Sequence, residues 1–181
     1  DALARTLRFH DAVLAAHPDR FGSLYNNAAL AARDLGVQRA ASGDPAAAQE
    51  LWERSYRYYE RAVALQPDDA RLANDCGLML VYHLHRDLER ARALFEQAIE
   101  LGERELAALP PSAPRTERER VEEAIGDAWQ NIAVLLRDRR GAAFADYRSF
   151  CEQAVRYYPY QQREAAALLR SQGALEPAST A

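Results

Sequence analysis

Residues that could support catalysis or metal binding are few and poorly spaced for it. His83 and His85 lie two residues apart, so a helix would place them on different faces, and an expected helix boundary separates His83 from Asp87. The chain has no HExxH motif, no CxxC pair, no glycine-rich phosphate loop and no GxSxG motif. The sequence therefore predicts no metal site, no cofactor and no enzymatic activity. An all-helical enzyme would need converging titratable groups in a polar pocket, which the sequence does not indicate.

Amide side chains recur at matched positions and are the best candidates for binding chemistry. Three segments contain a polar pair that is followed by an aliphatic residue: Asn26-Asn27 with Leu30, Asn74-Asp75 with Leu78, and Gln130-Asn131 with Val134. An amide can both donate to and accept from a peptide backbone, and the aliphatics could take a ligand's side chains. The alternative is that these residues pack or cap locally.

The elements that would position them are helices. Ala, Leu, Arg, Glu and Gln dominate the composition, and all of them favour helix. Capping signals at Asp19, Asp44-Pro45, Asp68 or Asp69, and Asp87, and a Thr116–Glu119 capping box, predict where helices begin. The prolines within 109–114 predict a linker. The predicted helices span approximately 2–16, 20–42, 45–66, 69–85, 87–108, 116–140, 142–158 and 160–172, followed by a flexible tail at 174–181.

Three segments align without gaps and indicate an internal repeat. Each has two large apolar residues, a Glu, a polar residue, an Ala and a β-branched residue, and they occupy 58–65, 94–101 and 150–157. The aligned alanines, Ala62, Ala98 and Ala154, would let two helices approach closely. The amide-bearing helices precede these segments, so the predicted unit is a pair of helices that occurs three times.

The pattern resembles the tetratricopeptide repeat (TPR) family over roughly 18–159. The positions that carry the resemblance are Pro67, Asp68, Asp69, Asn74, Gly77, Ala91, Phe95 and Ala98. It implies an all-α fold: an α-solenoid of antiparallel helix pairs over 1–173, with about three repeats, a leading half-repeat and a C-terminal capping helix. The separation of Ala98 and Ala154 departs from the family period of about 34 residues.

The resemblance also implies an interaction scaffold or adaptor that binds a protein or peptide in its concave groove. In that family the first helix of each pair lines the groove. Carried over, the groove residues are Asn26, Asn27, Leu30, Arg33, Arg71, Asn74, Asp75, Leu78, Tyr82, Gln130, Asn131, Val134 and Arg137. Members that grip acidic chaperone C-termini use basic residues and asparagines at set groove positions. The corresponding positions here carry no basic residue, which argues against such a carboxylate clamp; they are Ser23, Asn27, Asp75, Asp127 and Asn131.

Charge and hydropathy narrow the partners further. The net charge is -4, all 23 basic residues are arginine, and no apolar run approaches the ~18 residues of a membrane span. We therefore expect no nucleic-acid binding, no membrane insertion and a cytoplasmic location. The sequence starts at Asp1, which is compatible with a larger parent chain that has lost an N-terminal signal. The alternative function is a structural module that positions a neighbouring domain or mediates self-association.

The sequence also predicts the environments of two cysteines and three tyrosines. Cys76 and Cys151 sit in apolar helical patterns and are predicted to be buried thiols. Near the C-terminus, Tyr157, Tyr158 and Tyr160 are predicted either to pack the capping helix or to form a docking patch.

Overall fold

Helices account for all of the regular structure in the described part of the chain. The computed structural model describes residues 2–18, 20, 22–158 and 163–174. Within them the helices are α1 (Ala2–Ala16), α2 (Gly22–Ala41), α3 (Pro45–Leu65), α4 (Ala70–Leu78), α5 (Leu88–Ala108), α6 (Arg115–Val134), α7 (Phe144–Tyr157) and α8 (Arg163–Ser171). Two π-helical turns, Met79–Leu84 and Leu135–Arg139, extend α4 and α6. The all-α prediction is confirmed, and with the π turns included each predicted helix end lies within three residues of an observed one.

Local capping chemistry explains three of the helix starts. The Asp44 carboxylate accepts the backbone N–H of Ala47 at 3.1 Å, and Pro45 occupies the first helical position of α3. Asp69 caps α4 by accepting the N–H groups of the first turn at 2.9 and 3.2 Å. The carbonyl of Asp87, directly before α5, accepts the N–H of Ala91 at 2.9 Å. These aspartates stand where the sequence placed helix starts; Asp19 lies outside the described residues.

The predicted capping box of the sixth helix is wrong. The N-cap position of α6 is Pro114, which has no side-chain cap hydrogen bond, so Thr116 lies inside the first turn. Glu119 instead accepts a hydrogen bond from the Arg115 Nε at 2.7 Å, one turn away on the same helix. The linker at 109–114 is non-helical as predicted, with a turn closed by the Ala113 N–H and the Pro110 carbonyl at 2.9 Å. Of the predicted tail, only Ala174 is described.

The chain forms two compact units, Asp1–Ala91 (unit 1) and Arg92–Ala181 (unit 2). In unit 1, α1 packs on α2, α2 on α3, and α3 on α4 and its π turn. Small residues such as Ala28 and Ala62 are completely buried beside Tyr59 and Leu80. The Ser55 hydroxyl joins two of the helices by donating to the Ala29 carbonyl at 2.8 Å. Close approach of alanine-lined helices is therefore the basis of this core.

In unit 2, α6 packs on α7, and α8 packs on both. Phe95, Ile125 and Ile132 are among its large buried side chains, and Ala154 is also completely buried. All three aligned alanines are inaccessible to solvent, as the repeat pattern requires. The solenoid arrangement and the number of repeats remain predictions.

Both cysteines are buried, as predicted. Burial raises the pKa of Cys76 to about 12 and that of Cys151 to about 11, so both thiols stay protonated at neutral pH. They behave as small apolar core residues.

The two π turns end in the same way. After the first, His85 adopts a left-handed backbone (φ 54°), and the Arg86 N–H donates to the Leu80 carbonyl at 3.2 Å. After the second, Gly141 takes that conformation (φ 62°), and the Ala142 N–H donates to the Leu136 carbonyl at 3.0 Å. Each of these residues lies 56 positions after its counterpart, so two similar helices are closed by one hydrogen-bond pattern.

Each unit also contains one tryptophan. The Trp52 ring stacks on His83 with ring centroids 5.0 Å apart, and the Trp129 ring lies 5.7 Å from Phe150. Both indole Nε1 atoms are buried and have no hydrogen-bond partner in the described structure.

Candidate partner-binding surfaces

In unit 1, the predicted groove residues of α2 are partly accessible. Asn27 is exposed, whereas Asn26, Leu30 and Arg33 are half-buried. The Arg33 Nε donates to the neighbouring Asp34 carboxylate at 2.9 Å. The Oδ1 atom of Asn26 is buried and finds no hydrogen-bond partner in the described part of the chain. An unpaired buried acceptor is costly, and burial also keeps this oxygen out of reach of a ligand.

The predicted residues that follow on α4 and its π turn are mixed in their accessibility. Arg71 is exposed, and Asp75, Leu78 and Tyr82 are half-buried. Asn74, in contrast, is only 5% exposed. For Asn74 this burial favours the alternative that the amide packs locally.

Electrostatics link the α2 and α4 faces. Burial lowers the pKa of Arg33, but electrostatic interactions with Tyr59, Asp34 and Asp75 outweigh it, and the pKa is raised overall. His83 on the π turn belongs to the same cluster. Burial, reinforced by Arg33 and His85, lowers the pKa of His83 to about 4, so its imidazole is neutral at pH 7. These residues form one charged surface with a neutral histidine at its edge.

In unit 2, the predicted groove residues are largely taken up by packing. Asn131 is 5% exposed and Val134 is 3% exposed, so neither is open to a ligand. The Gln130 Oε1 accepts the backbone N–H of Ala165 at 3.1 Å, and Arg137 forms ion pairs with Asp138 and Glu164. The expectation of an open surface is wrong here because the first turn of α8 covers this part of α6.

The amide at position 130 nevertheless uses the predicted chemistry. Ala165 lies in the first turn of α8, where backbone N–H groups have no partner within the helix. Gln130 satisfies one of them, and Glu164 pairs with Arg137 beside it. The capping helix thus occupies the place that the sequence assigned to a ligand.

A cavity of about 580 Å³ lies elsewhere in unit 2, between the C-terminal end of α5, the N-terminal half of α6 and the C-terminal end of α7. Its lining combines basic, acidic, aromatic and aliphatic side chains: Leu106, Arg115, Arg118, Glu119, Glu122, Arg156, Tyr157 and Tyr158. We refer to these eight residues as the tyrosine–arginine cavity. It contains two of the three tyrosines that the sequence singled out; Tyr160 lies outside the described residues.

Hydrogen bonds hold part of this lining in place. The Tyr157 hydroxyl donates to the Glu103 carboxylate at 2.8 Å. Burial, together with that hydrogen bond, raises the pKa of Tyr157, so the phenol is protonated at neutral pH. Arg115 is tied to Glu119, as described above, and its side chain is 84% exposed. The hydrogen bond thus orients Tyr157, and the exposed Arg115 adds charge to the lining.

No protein-family model matches this chain, and no curated protein matches it in sequence. The resemblance to the TPR family therefore rests on the residues quoted above and stays a prediction. In the part of the chain that the structure describes, no helix is long and apolar enough to cross a membrane. The same residues contain no cluster of three His, Cys, Asp or Glu side chains that could hold a metal ion.

The arginines of the cavity were missed in the sequence. Arg118 lies in the alternating charges of 115–120, and Arg156 lies just before two tyrosines that were assigned to packing or docking. The available signal was the arginine-rich segment directly after the proline linker. The sequence alone does not show that this segment lies beside 156–158, because the two come together only where α6 packs on α7.

Proposed function

We propose that the chain is a protein-interaction scaffold that binds a peptide or protein segment on the α2–α4 face of unit 1. The observation that carries the proposal is the accessibility of Asn27, Leu30, Arg71, Leu78 and Tyr82. Such a face offers hydrogen-bonding groups for a backbone and aliphatic and aromatic surface for side chains. A solenoid of about three TPR-like repeats belongs to the same proposal.

Site-specific cross-linking in the native lysate tests the location. A photo-reactive p-benzoylphenylalanine replaces Asn27 in one variant and Arg57, an exposed residue of α3, in another. We expect the variant at position 27 to capture a discrete partner that the variant at position 57 does not. Equal capture by both variants would place the interaction elsewhere.

Calorimetric titration with the captured partner then tests the chemistry. Asn27→Ala combined with Arg71→Ala should weaken binding by about 1–3 kcal/mol, because ligand groups lose their hydrogen-bond partners. Glu50→Ala combined with Arg57→Ala removes two exposed side chains of α3 and is the matched control, expected to change binding little. Circular dichroism checks that both variants remain folded. Unchanged affinity in the folded Asn27→Ala, Arg71→Ala variant contradicts the proposal.

Self-association or docking of a neighbouring domain is the second candidate function. It is favoured by Phe9, whose side chain is 64% exposed on α1, and by Val37, 48% exposed on α2. Large exposed apolar side chains are often interface residues when they cluster. Sedimentation velocity over a range of concentrations, with Phe9→Ser as the comparison, would detect self-association through this surface.

A further inference from the structure

The tyrosine–arginine cavity contains cationic groups that have no ion-pair partner in the described part of the chain. Arg118 enters from α6 and Arg156 from α7, and neither forms an ion pair or side-chain hydrogen bond within the described residues. Arg118 is half-buried, so part of its hydration is lost without compensation. Two guanidinium groups on one cavity present planar sets of donors that match the geometry of a carboxylate.

The acidic residues of the cavity do not cancel these charges. Glu119 is engaged by Arg115 at 2.7 Å. Glu122 is the remaining carboxylate of the lining, so the three arginines exceed the two glutamates. A ligand with more than one carboxylate therefore gains binding energy from the arginines of this cavity. The Glu122 carboxylate is available to accept a hydrogen bond from a backbone N–H of the ligand.

The remaining lining is apolar or aromatic. Leu106 and Tyr158 are half-buried, and the Tyr157 ring is held by its hydrogen bond to Glu103. Two residue types dominate the binding energy at protein interfaces: aromatic residues, which have few rotatable bonds, and arginines. A volume of about 580 Å³ accommodates a few side chains of a peptide and exceeds what a single small anion needs.

A second cavity, in unit 1, provides a comparison for this combination of arginines and aromatic rings. It has a volume of about 740 Å³ and is lined by residues 46–57 of α3. Two of its four charged lining residues have partners within unit 1: Glu53 pairs with Arg86 at 2.7 Å, and Arg54 pairs with Asp11. It contains no aromatic residue in its lining. Unlike this second cavity, the tyrosine–arginine cavity places aromatic rings beside its unpaired arginines.

We propose that the tyrosine–arginine cavity is a second binding site, and that its ligand is an acidic peptide. Carboxylates of the peptide pair with Arg118 and Arg156, and an adjacent apolar side chain packs on Leu106 and Tyr158. The site lies in unit 2 and uses none of the residues of the α2–α4 face, so it is independent of the function proposed above.

Calorimetric titration with a synthetic peptide tests the site directly. The probe is an acetylated hexapeptide, Glu-Glu-Leu-Glu-Glu-Leu, and its counterpart has Gln in place of every Glu. On the full chain, Arg118→Gln combined with Arg156→Gln should weaken binding of the acidic probe by about 10- to 100-fold, because two charge-assisted hydrogen-bonding partners are lost. The Gln counterpart should bind the unaltered protein at least about tenfold more weakly than the acidic probe.

Matched variants separate a built site from general charge effects. Arg163→Gln combined with Arg170→Gln removes two exposed arginines of α8 and leaves the net charge equal to that of the cavity variant. It should change the affinity less than about twofold, since exposed charges act weakly at a distance. Arg118→Lys combined with Arg156→Lys keeps the charge but loses the planar fork, and should give an intermediate loss.

The outcomes are decisive in both directions. Selective loss in the cavity variant, with an unchanged circular dichroism spectrum, supports the proposal. If that variant does not fold, Tyr158→Ala replaces it and should weaken the acidic probe while the α8 variant does not. Equal losses in the cavity and α8 variants, or no binding of the acidic probe up to about 1 mM, the weak limit of specific recognition, would overturn it. Inorganic phosphate that competes as well as the peptide would show a site for free anions instead, which also overturns it.

Discussion

The π turn that extends α4 and the one that extends α6 share a backbone hydrogen-bond pattern but are closed by different residues. His85 stands in unit 1 where Gly141 stands in unit 2, and both are left-handed. Glycine takes this conformation without penalty, whereas a residue with a Cβ does not. The imidazole of His85 compensates in part, because its Nδ1 lies 2.9 Å from the Val81 carbonyl. The geometry of this helix end is therefore imposed by packing, and the residue that closes it is accommodated.

The burial of the two turns differs as well. Leu80 is completely buried, whereas its counterpart Leu136 retains 9% of its exposure. Two residues before the left-handed residue of each turn, His83 is half-buried in unit 1 and Arg139 is exposed in unit 2. The turn of unit 1 is thus integrated into its core more fully than the turn of unit 2. Three experiments test this difference.

The largest effect is expected from truncation of the buried leucines. Leu80→Ala should lower the free energy of unfolding by about 2–5 kcal/mol, because it removes apolar contacts and leaves a cavity. Leu136→Ala should cost less, since its site is nearer the surface. Urea unfolding followed by far-UV circular dichroism measures both, with Val37→Ala at an exposed site as the control (expected change below about 0.5 kcal/mol). Equal losses at the two leucines would remove the distinction between the turns.

The pH dependence of stability should come next. In the unfolded chain His83 titrates near about 6.5, and in the folded protein its pKa is about 4. Between these values the unfolded state binds a proton that the folded state excludes, so stability falls as the pH drops from 6.5 to 4. We expect a loss of about 1 kcal/mol at pH 5, reduced by solvent at this half-buried site.

Unfolding of His83→Gln at pH 7 and pH 5 provides the comparison for that effect. The variant should lose most of the pH dependence in this interval, because Gln does not titrate. Arg139→Gln, at the equivalent position in unit 2, should keep it. A pH dependence that survives in His83→Gln would assign the effect to other groups.

The smallest effects concern the residues that close the turns. Gly141→Ala should destabilise by about 1 kcal/mol, because a Cβ disfavours the left-handed backbone although the surrounding space is open. His85→Gly should stabilise by up to about 0.5 kcal/mol, since relief of strain exceeds the lost Nδ1 interaction and the added flexibility of the unfolded chain. His85→Ala keeps the strain without the interaction and should be the least stable of the three His85 forms. If both His85→Gly and His85→Ala were less stable than the unaltered protein by similar amounts, the side chain would be the main stabiliser of the turn.

Local features of the sequence predicted the helices well. Asp44-Pro45 and Asp69 specify helix starts through contacts within one turn, and the prolines at 110–114 exclude helix whatever surrounds them. The aligned alanines indicated which residues lie at close packing sites. The π turns carried no such signal, because one extra residue near a helix end hardly changes the hydrophobic period. Gly141 marked a helix end, but nothing marked the same conformation at His85.

The candidate sites depended on contacts between distant parts of the chain. Asn131 and Val134 read as an open groove face until α8 returns over α6 and Gln130 accepts the N–H of Ala165. Similarly, Arg118 and Arg156 line one cavity only because α6 and α7 pack side by side. The residue types and their spacing along a helix specify which side chains share one face. Whether those side chains are accessible depends on which element packs over that face.

The distribution of the tryptophans has a practical consequence. Because the chain holds two of them and each unit contains one, the units carry separate intrinsic fluorophores. Trp129→Phe leaves the emission of Trp52, which reports on unit 1 and lies beside the His83 ring of the turn, with ring centroids 5.0 Å apart. Trp52→Phe leaves the emission of Trp129, which reports on unit 2. The cooperativity between the two units can therefore be read from the protein's own ultraviolet spectrum, without an attached dye.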